Sequence, residues 1–480
     1  MKLSSVAPLA FWACRAFAAS MIEGGHTNRR CNILVSITDY ENDETDEWRA
    51  ECEISGQFHA LSWSQSFVRN LLDTNQLISG VSELDLVGAE LKNGIIYLPE
   101  NTESIFGAIN HYDSSSEMLD TGTKRLLVVR IIARDSVTSM SSDQISDKVF
   151  GTSGDPANVK SQYSSCSFKQ FNFVPAVNQG VVNGVLEITI SENATNAHSG
   201  DILNAVTKAM GGKPMYADYV MYTMPPGTKG GWLAYAYINS WISVYNDKWI
   251  KSLSANMHEI GHNLGLGHSN ENGVSYGDQS GYMGYSYKDD DSPLMCFNAY
   301  QSWQLGWYRN KTKLLQSRES FTGALSAIVD FDKKKSDTVL IRINTSKSMD
   351  YYINYNKKTS FNAGTLEGSN QVLVVTAIGN GSIYSETNLV AKLNSGGSFT
   401  FETDTGSNMT LMVNSIDVNG TANIHIGPLC LPNSQCQCHP CNPSKSPIGF
   451  EFPVPTESPI RTRDKDKYKN NPGKMRCRGC

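Results

Sequence analysis

The stretch Asn256 to Ser269, Asn-Met-His-Glu-Ile-Gly-His-Asn-Leu-Gly-Leu-Gly-His-Ser, limits the folds open to this chain more than any other. His258 and His262 are four apart, so on a helix they stand on one face, one turn from each other, close enough to share an ion. Gly265 lets the chain leave the helix through a left-handed residue, and the turn can return His268 to the same point. Three neutral imidazoles leave one position of a tetrahedral zinc ion for water, which is the donor set of a catalytic site rather than a closed structural one. Glu259 follows the first ligand and can take a proton from that water. A bare His-Glu-x-x-His arises by chance, and a helical histidine is usually a packed or surface residue. Here His258, Glu259, His262, Gly265 and His268 are fixed together. Ile250, Leu253, Met257, Ile260 and Leu264 recur at three- and four-residue steps, the apolar stripe of a packed helix. Such a helix buries its Ile260 side and turns its histidines into a cleft.

A chain of 480 residues is too long for one ordinary domain. Its 40% hydrophobic and 18% charged residues suit a globular protein, and a net charge of −6 argues against nucleic acid as the main partner. Residues 1–20 read as a signal peptide: Lys2 is basic, Val6 to Ala13 is apolar, and Ala16-Phe17-Ala18 is a small-x-small cleavage site, although Arg15 interrupts the pattern. The competing reading is a buried apolar helix. No later run is long enough to span a bilayer, so no transmembrane anchor is expected. Removing Cys14 with the leader leaves ten of eleven cysteines, an even number that suits disulfides in an oxidising compartment. Acceptor triplets at Asn193, Asn310, Asn344, Asn380, Asn408 and Asn419 permit glycosylation without arguing for it.

Residues 21–122 read as a β-rich N-terminal region. Cys31 to Ile37 alternates like a strand, Asn93-Gly94 marks a turn before Ile95 to Leu98, and Asp43, Glu44, Asp46 and Glu47 make an acidic stretch. A Cys31–Cys52 disulfide is expected, against the alternative that one thiol caps the metal. Ahead of a secreted catalytic domain, such a region is a candidate pro-region that blocks the cleft.

Residues 123–310 form the expected catalytic domain. Leu126 to Ile132 is an apolar run of strand length, as for a strand buried on both faces. Ser141–Phe150 and Ile202–Met210 read as helices, the second stopping at Gly211-Gly212, and Leu186–Ile190 and Tyr219–Tyr222 read as strands. This alternation predicts an α+β domain with a twisted, mostly parallel sheet. Leu233-Ala234-Tyr235-Ala236 precedes the histidine helix and is expected to be a rim strand, whose free backbone edge could hold an extended peptide; an ordinary aromatic core strand is the alternative. Phe297–Trp307 reads as a closing helix. Asp289, Asp290 and Asp291 could accept calcium, with a solvated loop as the plainer expectation.

His258-Glu259-x-x-His262-x-x-Gly265-x-x-His268 followed by a methionine turn resembles the metzincin zinc endopeptidases. The finer pattern resembles the gametolysin family of secreted algal cell-wall metalloproteases. It lies in His268-Ser269, Tyr276-Gly277-Asp278, Met283-Gly284, Met295-Cys296-Phe297-Asn298-Ala299 and Gln304-Leu305-Gly306-Trp307, within residues 124–310. The resemblance implies one catalytic Zn2+, with Met283 (or, in competition, Met295) beneath it. It also implies a rim strand at Leu233–Ala236, and Tyr285, two residues after Met283, as a ligand or transition-state donor. Cys166 and Cys296 are expected to pair and clamp the two ends of the domain, with a metal-blocking Cys166 thiol as the alternative. The implied substrates are extracellular matrix or cell-wall glycoproteins.

Residues 311–428 carry short strand-like runs, among them Ala327–Phe331, Val339–Ile343, Tyr351–Tyr355, Val372–Val375 and Asn423–Ile426, which predict a β-sandwich. Residues 429–480 form a basic, Cys-rich tail in which Cys430, Cys436, Cys438, Cys441, Cys477 and Cys480 are expected to form disulfides of unassigned pairing. Taken together the sequence predicts a secreted zinc endopeptidase. The rival is a matrix- or glycan-binding protein with a silent zinc site, against which an intact Glu259 argues.

Overall fold

The computed structural model describes residues 20–21, 30–41, 46–99, 120–288, 290–333, 338–345, 349–378, 384–403, 408–417 and 420–428. The expectations for the leader up to residue 19, for Asp43, Glu44 and Asp289, for the acceptors Asn380 and Asn419, and for the tail from residue 429 lie outside these residues. The fold is mixed α/β, with several sheets and few helices.

The strand Gly122–Ile132 is the axis of the central sheet. It pairs in parallel with Phe171–Pro175, Val185–Thr189 and Tyr219–Met224, and the last of these pairs in parallel with Ile242–Asn246. Successive side chains of a strand face opposite ways. Leu126 and Val128 therefore join one core with Ile145, Tyr163, Met257 and Ile260, while Leu127, Val129 and Ile131 join another with Ile202 and Val206. Both faces are covered, which is why the run is continuously apolar rather than alternating. Burying each such aliphatic side chain is worth about 1.5–3 kcal/mol.

The helices observed are Ser142–Phe150, Val159–Cys166, Ser199–Met210, Leu253–Asn263 and the shorter Ala299–Gln304, with Gln65–Asp73 in the N-terminal region. Ser141 and Gln144 cap the first reciprocally, and Gly151 ends it at φ 72°. The expected closing helix over 297–307 shrinks to six residues, although Trp303, Leu305 and Trp307 are buried as anticipated.

Two boundaries differ from the sequence expectation. The N-terminal region is not a separate β-unit: Arg30–Tyr40 pairs antiparallel with Trp232–Tyr237, so both regions share one sheet. At the other end, Ser269–Glu271 pairs in parallel with Thr387–Leu393 and becomes the edge of a six-stranded sheet otherwise built from residues 312–393. A second sheet of four antiparallel strands lies between Phe321 and Pro428. The two share one apolar cluster, including Leu325, Ile341, Ile353, Val374, Leu411 and Ile424. Ala327–Phe331 is not a strand: Ile328–Asp330 is a 3-10 turn, and the strand lies earlier, at Phe321–Ser326. Cys31 is joined to Cys52 and Cys166 to Cys296. Among the described residues no helix is long and apolar enough to cross a membrane.

Candidate metal centre

The helix Leu253–Asn263 begins at Ser252, whose side chain accepts from the Ala255 N–H, and ends in a turn where Gly265 takes φ 82°. Asn263 Nδ2 donates to the Tyr237 and Ile242 carbonyls, at 3.0 and 2.6 Å, and ties the end of the helix to the rim strand. Past the turn, the Thr387 N–H donates to the His268 carbonyl at 2.9 Å and the Ser269 N–H to the Met283 carbonyl at 2.9 Å. These contacts fix His268 opposite the helix.

The three imidazoles converge as the spacing predicts. His258 Nε2 lies 3.1 Å from His262 Nε2, which lies 3.0 Å from His268 Nε2. His258 Nδ1 donates to the Tyr282 carbonyl at 2.7 Å, and His262 Nδ1 to the Leu266 carbonyl at 2.9 Å. Those bonds place the protons on Nδ1 and turn the Nε2 lone pairs towards one point, the usual orientation of a ligating histidine. Two donors about 2.0–2.1 Å from one tetrahedral ion are about 3.4 Å apart, so the spacing fits a single metal ion. Burial, then the charge of His268, lowers His258 to about 3; burial with the other two imidazoles holds His262 well below its ordinary value. Both are therefore neutral and available as ligands. His268 moves the other way: burial would lower it, but the Asp46 carboxylate, 3.3 Å from Nδ1, raises it.

Glu259 is fully buried, with no N–H or hydroxyl donor on its carboxylate oxygens; the group against it is the Asp39 carboxyl. Burial, then the neighbouring Asp39 carboxylate, raises its affinity for a proton. A buried carboxylate costs several kcal/mol unless something answers it, and a proton shared with Asp39 does so here. Met283 lies directly against the helix: a Cβ placed on Gly261 would come 2.5 Å from its Sδ. Met295, the alternative, is buried in the adjoining core, where its carbonyl accepts from Gln162 Nε2 at 2.6 Å.

Three expectations are corrected by the surroundings. The histidine face does not look into an open cleft: His258, Glu259, His262 and His268 are all fully buried. The rim strand containing Leu233, Ala234, Tyr235 and Ala236 has no free edge, because Arg30–Tyr40 occupies it, with Ala234 opposite Asp39 and Ala236 opposite Ile37. An edge strand exposes a row of unpaired N–H and C=O groups, and this chain's own strand satisfies them. The Tyr285 hydroxyl is engaged elsewhere: it donates to the Glu41 carbonyl at 3.2 Å. The tyrosine rings against the triad are Tyr276, 4.0 Å from His268 between centroids, and Tyr287, 5.2 Å from His258. As for calcium, Asp291 accepts from Lys148 Nζ at 2.8 Å, and Asp290 from the Ser292 N–H at 2.8 Å.

Residues outside the motif hold it in place. Asn298 Nδ2 reaches Ser269 Oγ at 3.0 Å and Thr387 Oγ1 at 2.9 Å, and Gln301 Nε2 reaches the Gly267 carbonyl at 3.0 Å. Their signal was present as Asn298-x-x-Gln301, the spacing of a reciprocal helix cap, which the structure shows. Asp39, Asp46 and Trp48 have no such local signature. Trp48 packs edge-on against His268, with centroids 6.4 Å apart.

A search of curated proteins returns no match. Wild-type OgpA from Akkermansia muciniphila, a solved structure, is 12% identical, with 63% of this chain and 95% of that chain covered, at a TM-score of 0.28, too low to transfer anything. The model of the family described as gametolysin peptidase M11 matches residues 127–381, which include the whole histidine cluster. With more than half of its length in that match, this chain belongs to the gametolysin peptidases, family M11.

Proposed function

We propose that this peptidase is a secreted, zinc-dependent endopeptidase of metzincin type that cleaves extracellular matrix or cell-wall glycoproteins. The observation that carries this reading is the convergence of three Nε2 atoms on one point, with Glu259 next to the first of them in the chain. Family membership supplies the peptide bond as substrate. The two disulfides are compatible with an oxidising compartment.

His258, His262 and His268 would hold the ion. A bound zinc supplies a Lewis acid for the scissile carbonyl and lowers the pKa of water towards about 7. Glu259 would take the proton of the attacking water and give it to the leaving amine. Met283 supports the helix beneath the ligands. Tyr285 remains a candidate donor only if the cleft opens and releases it from Glu41. Leu233 to Ala236 would pair with an extended substrate once the N-terminal region, read as a pro-region, has left. The C-terminal sheets would act as a sandwich that steadies the third ligand.

Casein hydrolysis by the processed protein is the direct test. Glu259→Gln should retain metal and lose about 10²–10⁴-fold in kcat, the range for removing a general base, and a chelator should abolish the wild-type rate. Equal rates for wild type and Glu259→Gln would rule the mechanism out. Inertness of both after removal of the N-terminal region would favour a binding protein. Mass spectrometry of digested cell-wall protein should show new peptide termini; their absence would point to a different bond.

A further inference from the structure

We infer that Lys248 and Trp249 form a carboxylate-binding subsite beside the metal centre, so that this peptidase favours substrates with an acidic side chain near the bond it cuts. This rests on the endopeptidase reading, in which an extended substrate takes the rim strand. The strand Arg30–Tyr40 pairs antiparallel with that rim, and Glu41 follows it. Leu34 and Tyr40 join one core, and Val35 and Ile37 join another. Successive side chains of a strand alternate, so Asp39 and Glu41 continue the second side. Asp39 lies beside His258, and Glu41 is the next residue on that side.

Glu41 is gripped in two different ways. Its N–H donates to the Gly231 carbonyl at 3.3 Å, and its carbonyl accepts from the Tyr285 hydroxyl at 3.2 Å. Those bonds hold a backbone, and any residue but proline could make them. The carboxylate is held separately. Trp249 Nε1 donates to Oε1 at 2.7 Å, and Lys248 Nζ lies 3.4 Å from the same oxygen. These two contacts read the side chain. An indole N–H and an ammonium group are donors only, so together they suit an anion and disfavour a cation. A neutral amide could accept the indole N–H but would not answer the charge. Glu41 thus stands in for an acidic residue of a substrate.

The subsite is built into the catalytic framework. The strand Ile242–Asn246 runs into the 3-10 turn Asp247–Lys251, and the turn leads to the histidine helix. The Asp247 carboxylate accepts from the Ser139 N–H at 2.8 Å and from the Ser139 hydroxyl at 2.7 Å. From the helix, Asn256 Nδ2 donates to the Ile250 carbonyl at 2.8 Å. The Trp249 ring is buried in the same core as Met257 and Ile260, and Lys248 Nζ lies 4.9 Å from its centroid, over the face. The two donors are therefore positioned before a carboxylate arrives, which is what allows them to discriminate.

The test uses the protein secreted in active form from the full chain, with Zn2+ present. Peptides of one sequence carry Glu, Gln or Lys at each position in turn; kcat/KM is measured, and the bond cut is located by mass spectrometry. At one position within about three residues of that bond, Glu should give a kcat/KM about fivefold above Gln, with Lys below both. Salt at about 1 M should narrow the ratio. Lys248→Met and Trp249→Phe should each bring the Glu-to-Gln ratio towards unity, and Lys248→Glu should favour the Lys peptide over the Glu peptide. The ratio is read within each variant, so a loss of folded protein affects all peptides alike. A wild-type ratio within about twofold of unity at every position, or a preference that survives both substitutions, would overturn the subsite. Cleavage of neither the peptides nor casein would overturn the endopeptidase reading and the subsite with it, whereas cleavage without an acidic preference overturns the subsite alone.

Discussion

The N-terminal and C-terminal regions both reach the histidine helix by adding a strand, and they do so with opposite chemistry. The N-terminal strand runs antiparallel along the rim strand and carries the Asp39 carboxylate to within 3.5 Å of His258 Nε2. The C-terminal strand Thr387–Leu393 runs parallel to Ser269–Glu271 and contributes backbone and hydroxyl groups to the far side of the His268 turn. One contact brings a carboxylate to the histidine cluster. The other supports the frame with backbone and hydroxyl hydrogen bonds and an ion pair, Lys392 Nζ to Glu271 at 2.7 Å. The first covers the rim strand, whereas the second holds the turn that presents His268.

Truncation puts this difference to its hardest test. A chain ending near residue 310 should lose cooperative thermal unfolding and metal retention, because Ser269–Glu271 loses its partner strand. Proteolytic removal of the N-terminal region should leave a folded, metal-binding remainder. Comparable collapse in both cases would erase the distinction.

Asp278 gives a pH-dependent probe of the C-terminal side. It is buried among Ser280 and Asn298, and burial pushes its carboxyl up to about 6, against 3.8 for the ordinary group. The folded state thus holds the proton more tightly than the unfolded state. The stability that this group contributes is complete below about pH 4 and is lost as the pH rises through about 6, up to roughly 3 kcal/mol. Chemical denaturation across this window should show that decline in wild type and not in Asp278→Asn.

Gly267→Ala is a smaller perturbation. Its Cβ would lie 2.5 Å from the Ser385 carbonyl oxygen, so a shift costing about 1–3 kcal/mol is expected in urea unfolding. The smallest effect belongs to Arg69, which bonds Glu386 at 2.8 and 2.9 Å and so links the two regions directly. Arg69 is 42% exposed, and solvent screening limits Arg69→Ala to less than about 1 kcal/mol. A loss of several kcal/mol would mean that the N-terminal region is as integral as the C-terminal one.

The metal centre was legible because its chemistry is local. The four-residue step from His258 to His262 is set by helix geometry, and Gly265 advertises the turn that returns His268. The apolar run at Leu126 was equally plain as a strand buried on both faces. Asp39 was not legible. It is one acid in Ile-Thr-Asp-Tyr, and its place beside His258 comes from pairing with a strand nearly two hundred residues away. The same holds for the domain border expected near residue 310: nothing around Ser269 signals a partner at Thr387, since strand pairing leaves no trace in the spacing of either segment.

Gly267 carries a consequence for how such proteins can be recombined. With the Ser385 backbone passing within a side chain's width of the loop that presents His268, the C-terminal sheets are not an appendage that can be exchanged at will. A graft from a relative would have to reproduce that crossing to within a fraction of an ångström, or the third imidazole would be displaced. The family match fits that reading, since it runs past the helix Ala299–Gln304 to residue 381 and so takes in much of the six-stranded sheet.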